Sequence, residues 1–205
     1  MRLLVFLAAT TLLSCGQSSA PGKKEKGPED NVKSTTDTVK TALSQTADSS
    51  YATPDEGTAN TALQASSQGN KWHVLNDKEA KWMKDAFDYF IVPKRKTAPN
   101  YPYITKGDFN ADGNPDMAAV VTDSLKANYR IAIILGPGNV KLWEEDIMID
   151  AALSTVPPST IEGMDGEKTK KIKLKGDGIN IEYFEKASFV LYWDKSSFKR
   201  IQTGD

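Results

Sequence analysis

The four tryptophans of this 205-residue chain all lie within residues 71–205, and this uneven distribution limits where a hydrophobic core can form. Residues 16–70 are mostly Ser, Thr, Ala, Gly, Asp and Lys, and Tyr51 is their one aromatic residue. Such a segment buries too little apolar surface to offset the entropy lost when its backbone is ordered. We therefore predict a disordered linker over residues 15–70 and a globular domain over residues 71–205.

The N-terminus has the layout of a secretory signal peptide. Arg2 supplies one positive charge, the run Leu3–Leu13 is apolar, and the small residue Ser14 precedes Cys15. The apolar run is too short to span a bilayer, which takes about 20 residues, so we expect it to be removed rather than kept as a membrane helix. The pattern predicts a cleavable signal over residues 1–14.

The residues at the predicted cleavage site, Leu12-Leu13-Ser14-Cys15, resemble the lipobox of bacterial lipoproteins at every position. In that family a thioether lipid is attached to the cysteine, the signal is cut before it, and the new amine is often acylated. The resemblance implies lipidation at Cys15, with palmitate among the acyl groups, and anchoring of the chain to a membrane of the cell envelope. In Gram-negative sorting signals Asp after the cysteine favours the inner membrane, so Gly16 implies the outer membrane of a Gram-negative bacterium.

The cysteine content argues against a disulfide-stabilised domain, and the charge argues against a nucleic-acid-binding protein. Cys15 is the only cysteine, so the mature chain can form no disulfide after lipidation. The 26 basic residues nearly balance the 27 acidic residues, which argues against nucleic acid as a partner. The exported domain must therefore be held together by core packing and by a metal where one is bound.

The first element predicted in the globular domain is a helix. Asn76 can cap it, and Glu79 stands in capping-box register three residues later. A buried stripe at helical spacing follows, made of Met83, Ala86, Phe87 and Phe90. Val92-Pro93 is expected to end the helix, because a residue before proline avoids the helical conformation.

Short apolar or alternating segments predict the strands that follow. They are Met117–Thr122, Tyr129–Leu135, Val140–Trp143, Lys170–Leu174, Ile179–Phe184, Phe189–Trp193 and Phe198–Ile201. An irregular stretch containing Pro157-Pro158, Gly163 and Gly166 separates the third strand from the fourth. The pattern predicts an α+β fold, with one N-terminal helix packed on a mostly antiparallel sheet and preceded by the disordered linker.

One short segment carries a specific chemical pattern. Oxygen-bearing side chains stand at Asp108, Asn110, Asp112 and Asp116, and Gly113 can take the positive φ that reverses the chain. Hard cations such as Ca²⁺ take six to eight oxygen ligands, and alternate residues of a tight loop can all turn inward. We predict a calcium site made by these four side chains and the peptide carbonyl of Asn114. The alternative is a metal-free turn held by Asx hydrogen bonds.

The loop departs from the EF-hand pattern, because Ala119 occupies the position of the closing glutamate. Gly107–Asp116 instead resembles the calcium loops of FG-GAP/VCBS-type repeats, and Met117–Val121 matches the strand that follows those loops. The resemblance implies that the loop binds Ca²⁺ and that the strand pairs in a β-hairpin. A propeller does not follow, since the chain has one such loop.

Other candidate sites are weaker. His73 is the only histidine, so neither a zinc site nor a histidine-based catalytic constellation is indicated. The segment Thr97–Tyr103, with two prolines and two tyrosines, fits either a binding ridge or buried core residues. A strip of lysines fits either a contact with anionic polymers or lipid headgroups or the solvated face of an edge strand; its members are Lys168, Lys170, Lys171, Lys173 and Lys175.

The sequence favours a membrane-anchored envelope lipoprotein whose calcium-stabilised domain is non-enzymatic and binds a protein or glycan or has a structural role. One alternative is a small envelope hydrolase that uses a carboxylate pair. Another is an inhibitor of an envelope-directed hydrolase. A deep pocket lined by two close acidic side chains would favour the hydrolase, and a protruding rigid loop would favour the inhibitor.

Overall fold

The computed structural model describes residues 53–67, 71–125, 127–136 and 139–204. The predicted signal peptide, Cys15 and most of the predicted linker lie outside the described residues. Within the described part the helices are α1 (Pro54–Ala65), α2 (Lys84–Ala86), a π-helix (Phe87–Ile91) and α3 (Val92–Arg95). None of these helices is long and apolar enough to cross a membrane.

The first sheet is antiparallel and is built around one long strand. Its strands are β1 (Trp72–Val74), β2 (Ile104–Gly107), β3 (Asp116–Asp123), β4 (Tyr129–Ile134) and β5 (Val140–Leu142). The order is β1-β3-β4-β5, and β2 also pairs with β3. β1 pairs with the C-terminal end of β3 and β2 with its N-terminal end, while β4 pairs along the other edge.

The second sheet is also antiparallel, and its order is β6-β9-β10-β11-β7-β8. Its strands are β6 (Ala151–Val156), β7 (Thr160–Asp165), β8 (Lys168–Lys173), β9 (Gly178–Tyr183), β10 (Ala187–Asp194) and β11 (Ser197–Gly204). β6 lies against β2 of the first sheet: the Leu153 amide donates to the Pro102 carbonyl at 2.8 Å, and the Thr155 hydroxyl donates to the Lys106 carbonyl at 2.6 Å.

Both sheets and α1 contribute to one hydrophobic core. Leu63 of α1, Val120 of β3, Leu153 of β6 and Leu191 of β10 all belong to it and are almost completely buried. Strand β3 is the central element, since all eight of its residues are buried. The prediction of a sheet-rich, mostly antiparallel fold is confirmed.

The folded part begins earlier than the predicted boundary at residue 71. Helix α1 lies inside the segment predicted as a linker, and its Ala59 and Leu63 are fully buried. The Thr53 hydroxyl caps the helix by accepting from the Glu56 amide at 3.2 Å, and Asn60 Oδ1 accepts from the Val74 amide at 2.8 Å. Two buried apolar side chains and one hydrogen bond to β1 thus dock a segment whose composition is mostly polar.

The predicted helix from Asn76 is wrong in its start, its end and its buried face. Asn76 begins a turn rather than a helix, and the helical stretch runs from Lys84 through Pro93 to Arg95. Pro93 is the second residue of α3 and comes directly after the π-helix, where the pattern of hydrogen bonds changes. Met83 is 73% exposed and Phe90 is 49% exposed, so the apolar stripe is not buried as predicted.

The stretch predicted to be irregular after Trp143 contains two strands, β6 and β7. Pro157-Pro158 lies between them, where the chain needs no ladder hydrogen bonds. The short strands β1 and β2 were not predicted either. The other strands coincide with the predicted ones to within a few residues.

We expect Gly163→Ala to lower the free energy of unfolding by about 1–3 kcal/mol. A methyl group at Gly163 of β7 would stand 2.2 Å from the Gln202 carbonyl oxygen and 2.8 Å from Ile201 Cγ1. The matched control is Gly57→Ala in α1, where a methyl group meets nothing within 4 Å. This control should raise the free energy of unfolding by about 0.5–1 kcal/mol. Urea denaturation measures both, and equal effects would contradict the β7–β11 packing.

Candidate metal site

The oxygen-rich loop connects β2 to β3, and the pair Gly107–Asp116 closes it. Phe109 is fully buried and holds the loop to the core. Ala111 and Gly113 have φ angles of 61° and 85°, which turn the chain back on itself. The resemblance predicted that β3 would pair in a hairpin, and β3 does pair antiparallel with β2 across this loop and with β4 after it.

Three of the predicted ligand residues are brought together by hydrogen bonds. The Asp112 amide donates to Asp108 Oδ1 at 3.0 Å and to Asn110 Oδ1 at 3.1 Å, so both oxygens stand within reach of one nitrogen. The Gly113 amide donates to Asp108 Oδ2 at 3.0 Å. The Asn110 side-chain amide donates to Asp112 Oδ2 at 2.8 Å, which also helps to hold the pKa of Asp112 below its ordinary value.

Asp116 is the buried member of the set and is only 3% exposed. Its Oδ2 accepts from the Phe109 amide at 2.9 Å and from the Asn110 amide at 3.3 Å. Its Oδ1 is buried and has no hydrogen-bond partner. Burial raises the pKa of Asp116 above its ordinary value, and the negative charges of Asp112 and Asp108 add to the rise.

The unpartnered oxygen of Asp116 is the most costly of its kind in the described residues. The other two buried side-chain atoms without a partner are Asn100 Oδ1 and the Thr122 hydroxyl oxygen. Both belong to neutral groups, whereas Oδ1 belongs to a carboxylate whose only donors are the two amides at Oδ2, and a buried charge needs more compensation than a buried neutral polar group. The loop therefore has one strong acceptor that the protein itself leaves unused.

A fourth aspartate, which sequence reasoning missed, supports the loop from the second sheet. Asp177, between β8 and β9, accepts from the Asp108 amide through Oδ2 at 2.8 Å, and its own amide donates to the Asp108 carbonyl at the same distance. Gly176 permits this approach, because a methyl group there would stand 2.4 Å from the Asp108 carbonyl oxygen. The two segments are 69 residues apart, so no local pattern could have paired them.

The residues fit a calcium ion in part. All the predicted ligands are oxygens, and Asp108, Asn110, Asp112 and Asp116 surround the same turn. Asn114 is exposed and its amide donates to Asp112 Oδ1 at 2.8 Å. Across residues 53–204, with the short gaps given above, no three His, Cys, Asp or Glu side chains form a group ready to hold a metal. Asn110, a carbonyl and water would therefore have to supply much of the coordination shell.

Two cavities flank helix α1. A groove of about 1340 Å³ opens beside the loop and is lined by Asp112, Asn114 and Asp116 on one side and by Thr58 and Thr61 of α1 on the other. A smaller cavity of about 230 Å³ lies at the start of α1. It is lined by Glu56, Asp77, Arg95, Asn100, Tyr101 and Tyr103 among others.

The smaller cavity contains two carboxyl groups whose pKa values are shifted in opposite directions. The Arg95 guanidinium donates to both oxygens of Asp77, at 2.6 and 2.7 Å, and the Tyr103 hydroxyl donates to Oδ1 at 2.9 Å. Burial opposes ionisation of Asp77, but these donors outweigh it and lower its pKa. The pKa of Glu56 is raised, first by burial and then by the negative charges of Asp77 and Glu79.

The remaining sequence candidates have structural contacts. His73 Nε2 lies 3.0 Å from Glu79 Oε1. Tyr101 and Tyr103 are buried, so the segment Thr97–Tyr103 supplies core residues and not an exposed ridge. The lysine strip follows β8, which is the edge strand of the second sheet. There Lys170 pairs with Asp165, and Lys171 lies 3.3 Å from Glu162, as expected for a solvated strand face.

In a comparison with known proteins, no family model, no curated protein and no solved structure matches this chain. The likeness to FG-GAP/VCBS-type loops therefore rests on Gly107–Val121 alone.

Proposed function

We propose that the β2–β3 loop binds one calcium ion, and that this ion stabilises a non-enzymatic binding or structural domain. The observation that carries the proposal is the buried and unpartnered Oδ1 of Asp116. The negative charge of Asp116 is disfavoured by burial and by repulsion from Asp112 and Asp108, and a divalent cation beside Oδ1 would compensate it. The ligands would be Asp108, Asn110, Asp112 and Asp116 through their side chains and Asn114 through its carbonyl, with water completing the shell.

A metal-free Asx turn explains part of the loop. It accounts for the amides of Asp112, Gly113 and Asn114, each of which donates to a side-chain oxygen of the loop. It does not account for Asp116, whose Oδ1 gains nothing from these bonds. Calcium would use both features, since the unpartnered Oδ1 of Asp116 would face the ion, and each oxygen of Asp108, Asn110 and Asp112 that accepts from the loop keeps a second lone pair for it.

The chain is further proposed to work as a lipoprotein of the cell envelope, anchored through Cys15 to the outer membrane of a Gram-negative bacterium. The support is the match of Leu12–Cys15 to the lipobox and the apolar run before it. Two or more acyl chains give stable anchoring, at roughly 0.8 kcal/mol for each buried CH₂. The partner of the domain would then be an envelope protein or glycan.

A small hydrolase is the second candidate function, because Glu56 and Asp77 line one cavity away from the loop and their pKa values are shifted in opposite directions. Opposite shifts of this kind suit an acid and a base. However, both oxygens of Asp77 are already bound by Arg95 and Tyr103, which is typical of a structural ion pair. We therefore prefer the binding role.

We predict that millimolar Ca²⁺ raises the melting temperature of the mature protein and that Asp116→Asn removes this rise. With a dissociation constant of about 10⁻⁴ M, as in many extracellular modules, 1 mM Ca²⁺ adds about 1.4 kcal/mol. The rise in melting temperature should be roughly 3–6 °C. In EDTA, Asp116→Asn should melt no lower than the wild type, because burial and the charges of Asp112 and Asp108 disfavour the negative charge that the substitution removes.

The matched control is Asp123→Asn at the other end of β3. Asp123 is equally buried, but its oxygens accept from the Ala127 amide at 3.0 Å and from Asn128 Nδ2 at 2.5 Å. This variant should melt lower than the wild type in EDTA and in calcium, and it should keep the calcium response. Identical wild-type melting curves in EDTA and in calcium would reject the proposed ion.

The calcium effect should depend on pH in a defined direction. Burial raises the pKa of Asp116 above its ordinary 3.8, so the metal-free fold is favoured by protonation and loses that stabilisation as the pH rises through the raised pKa. Calcium needs the ionised carboxylate, so its stabilising effect should be full near pH 7 and should fade as the pH drops toward about 4. Melting curves in EDTA and calcium at several pH values measure this, and a pH-independent difference would contradict it.

We predict that Cys15→Ser abolishes incorporation of labelled palmitate in a Gram-negative host and releases the protein from the membrane fraction. The thioether requires the thiolate of cysteine as its nucleophile, and a serine hydroxyl cannot replace it. Ser18→Ala, three residues beyond the lipobox, is the control and should be labelled normally. Absence of label in the wild-type protein would exclude lipidation at Cys15, whatever the loop binds.

A further inference from the structure

The 230 Å³ cavity at the start of α1 is lined by acceptor oxygens that the protein uses only in part. The half-buried Glu56 carboxylate accepts a hydrogen bond from the backbone amide of Thr53 and forms no ion pair within the described residues. Asn100 Oδ1, a neutral acceptor, is buried without a partner. The Asn100 amide nitrogen donates to Asp55, which fixes the orientation of this side chain and leaves its oxygen unused.

Arg95 and Tyr103, two of the donors that line the cavity, already have acceptors. Arg95 donates through Nε to the Tyr101 carbonyl at 2.6 Å and through its other nitrogens to Asp77. The Tyr103 hydroxyl donates to Asp77 and accepts from Trp82 Nε1 at 3.0 Å. A ligand that supplies donors, and preferably positive charge, therefore suits this cavity.

The rest of the lining limits the size and polarity of such a ligand. Val74, Leu75 and Ile104 add apolar surface, and the rings of Tyr101 and Tyr103 stand beside it. A cavity of about 230 Å³ admits a short aliphatic group and excludes a large one. Among the charged lining residues, Arg95 and Asp77 cancel each other and Glu56 remains, so the local charge is negative when Glu56 is ionised.

We propose that this cavity binds a primary alkylammonium group, with Glu56 as its ionic partner, the Asn100 carbonyl oxygen as a second acceptor and the apolar side chains around its stem. Such a group occurs on free diamines and on lysine side chains. The site is independent of the calcium loop, because none of the proposed calcium ligands lines it. Asp77 and Glu79 repel the charge of Glu56, and His73 partly opposes this repulsion. A bound ammonium group would reduce it further.

The test is a titration of the mature full-length protein in EDTA with pentylammonium, pentanol and pentanoate, followed by NMR chemical shifts. Pentylammonium should bind at the residues of this cavity, while the neutral and anionic analogues of the same length should bind far more weakly. Glu56→Gln keeps the shape of the side chain and should weaken pentylammonium binding by about tenfold or more. Glu162→Gln on β7, whose carboxylate pairs with Lys171, is the matched control and should bind as the wild type.

Two further titrations distinguish the two possible sources of the ammonium group. Cadaverine represents free diamines, and a short Ala-Lys-Ala peptide with blocked ends represents lysine side chains. Whichever binds more tightly identifies the source. A melting curve for Glu56→Gln verifies that this variant is folded. Equal binding of pentylammonium and pentanol, unchanged binding by Glu56→Gln, or no binding at all would overturn the proposal and leave a water-filled cavity.

Discussion

Strand β3 is buried along its whole length, and the rest of the structure is arranged around it. β1 and β2 cover one edge, β4 covers the other, and α1 and the second sheet complete the core around it. A charged group carried into this core needs partners within the protein, because water cannot reach it. Asp123 at the C-terminal end is satisfied by Asn128 and Ala127, whereas Asp116 at the N-terminal end keeps one oxygen without a partner. The proposed calcium ion follows from this difference between the two ends of one strand.

Helix α1 connects the two candidate sites. Its Glu56 lines the small cavity, while Thr58 and Thr61 line the groove that leads to the calcium loop. Asp55 pairs with Lys106 at 2.5 Å and contacts Asn100, so it touches the segment that enters the loop and a residue of the small cavity. A domain that began at residue 71 would lack one wall of each site. The position of the first buried residue of the domain therefore matters for function as well as for stability.

The loop between β2 and β3 could be singled out from the sequence because all its proposed ligands lie within nine consecutive residues, and its calcium ion stays a prediction. β3 was predictable from its apolar run. The supporting role of Asp177 was not predictable, because its contact with Asp108 joins segments that are distant in sequence.

The prediction of a helix from Asn76 is wrong because it relied on local periodicity. Periodicity identifies side chains that share a face, but Met83 and Phe90 remain exposed because nothing in the fold covers that face. α1 was not predicted because it buries only two side chains, and the overall composition of a mostly polar segment does not reveal so few apolar contacts. The small cavity combines residues from three separate segments, so no local pattern indicated it.

The account rests on one ion held by oxygens of one loop, and isothermal titration calorimetry of the mature protein with CaCl₂ tests this most directly. We expect one site per chain with a dissociation constant of about 10⁻⁴ M, and no measurable heat of binding for Asp116→Asn. Binding with a different stoichiometry, or equal binding by Asp116→Asn, would place any calcium elsewhere in the protein. A flat titration of the wild type up to several millimolar would leave the loop as a turn held by its own hydrogen bonds.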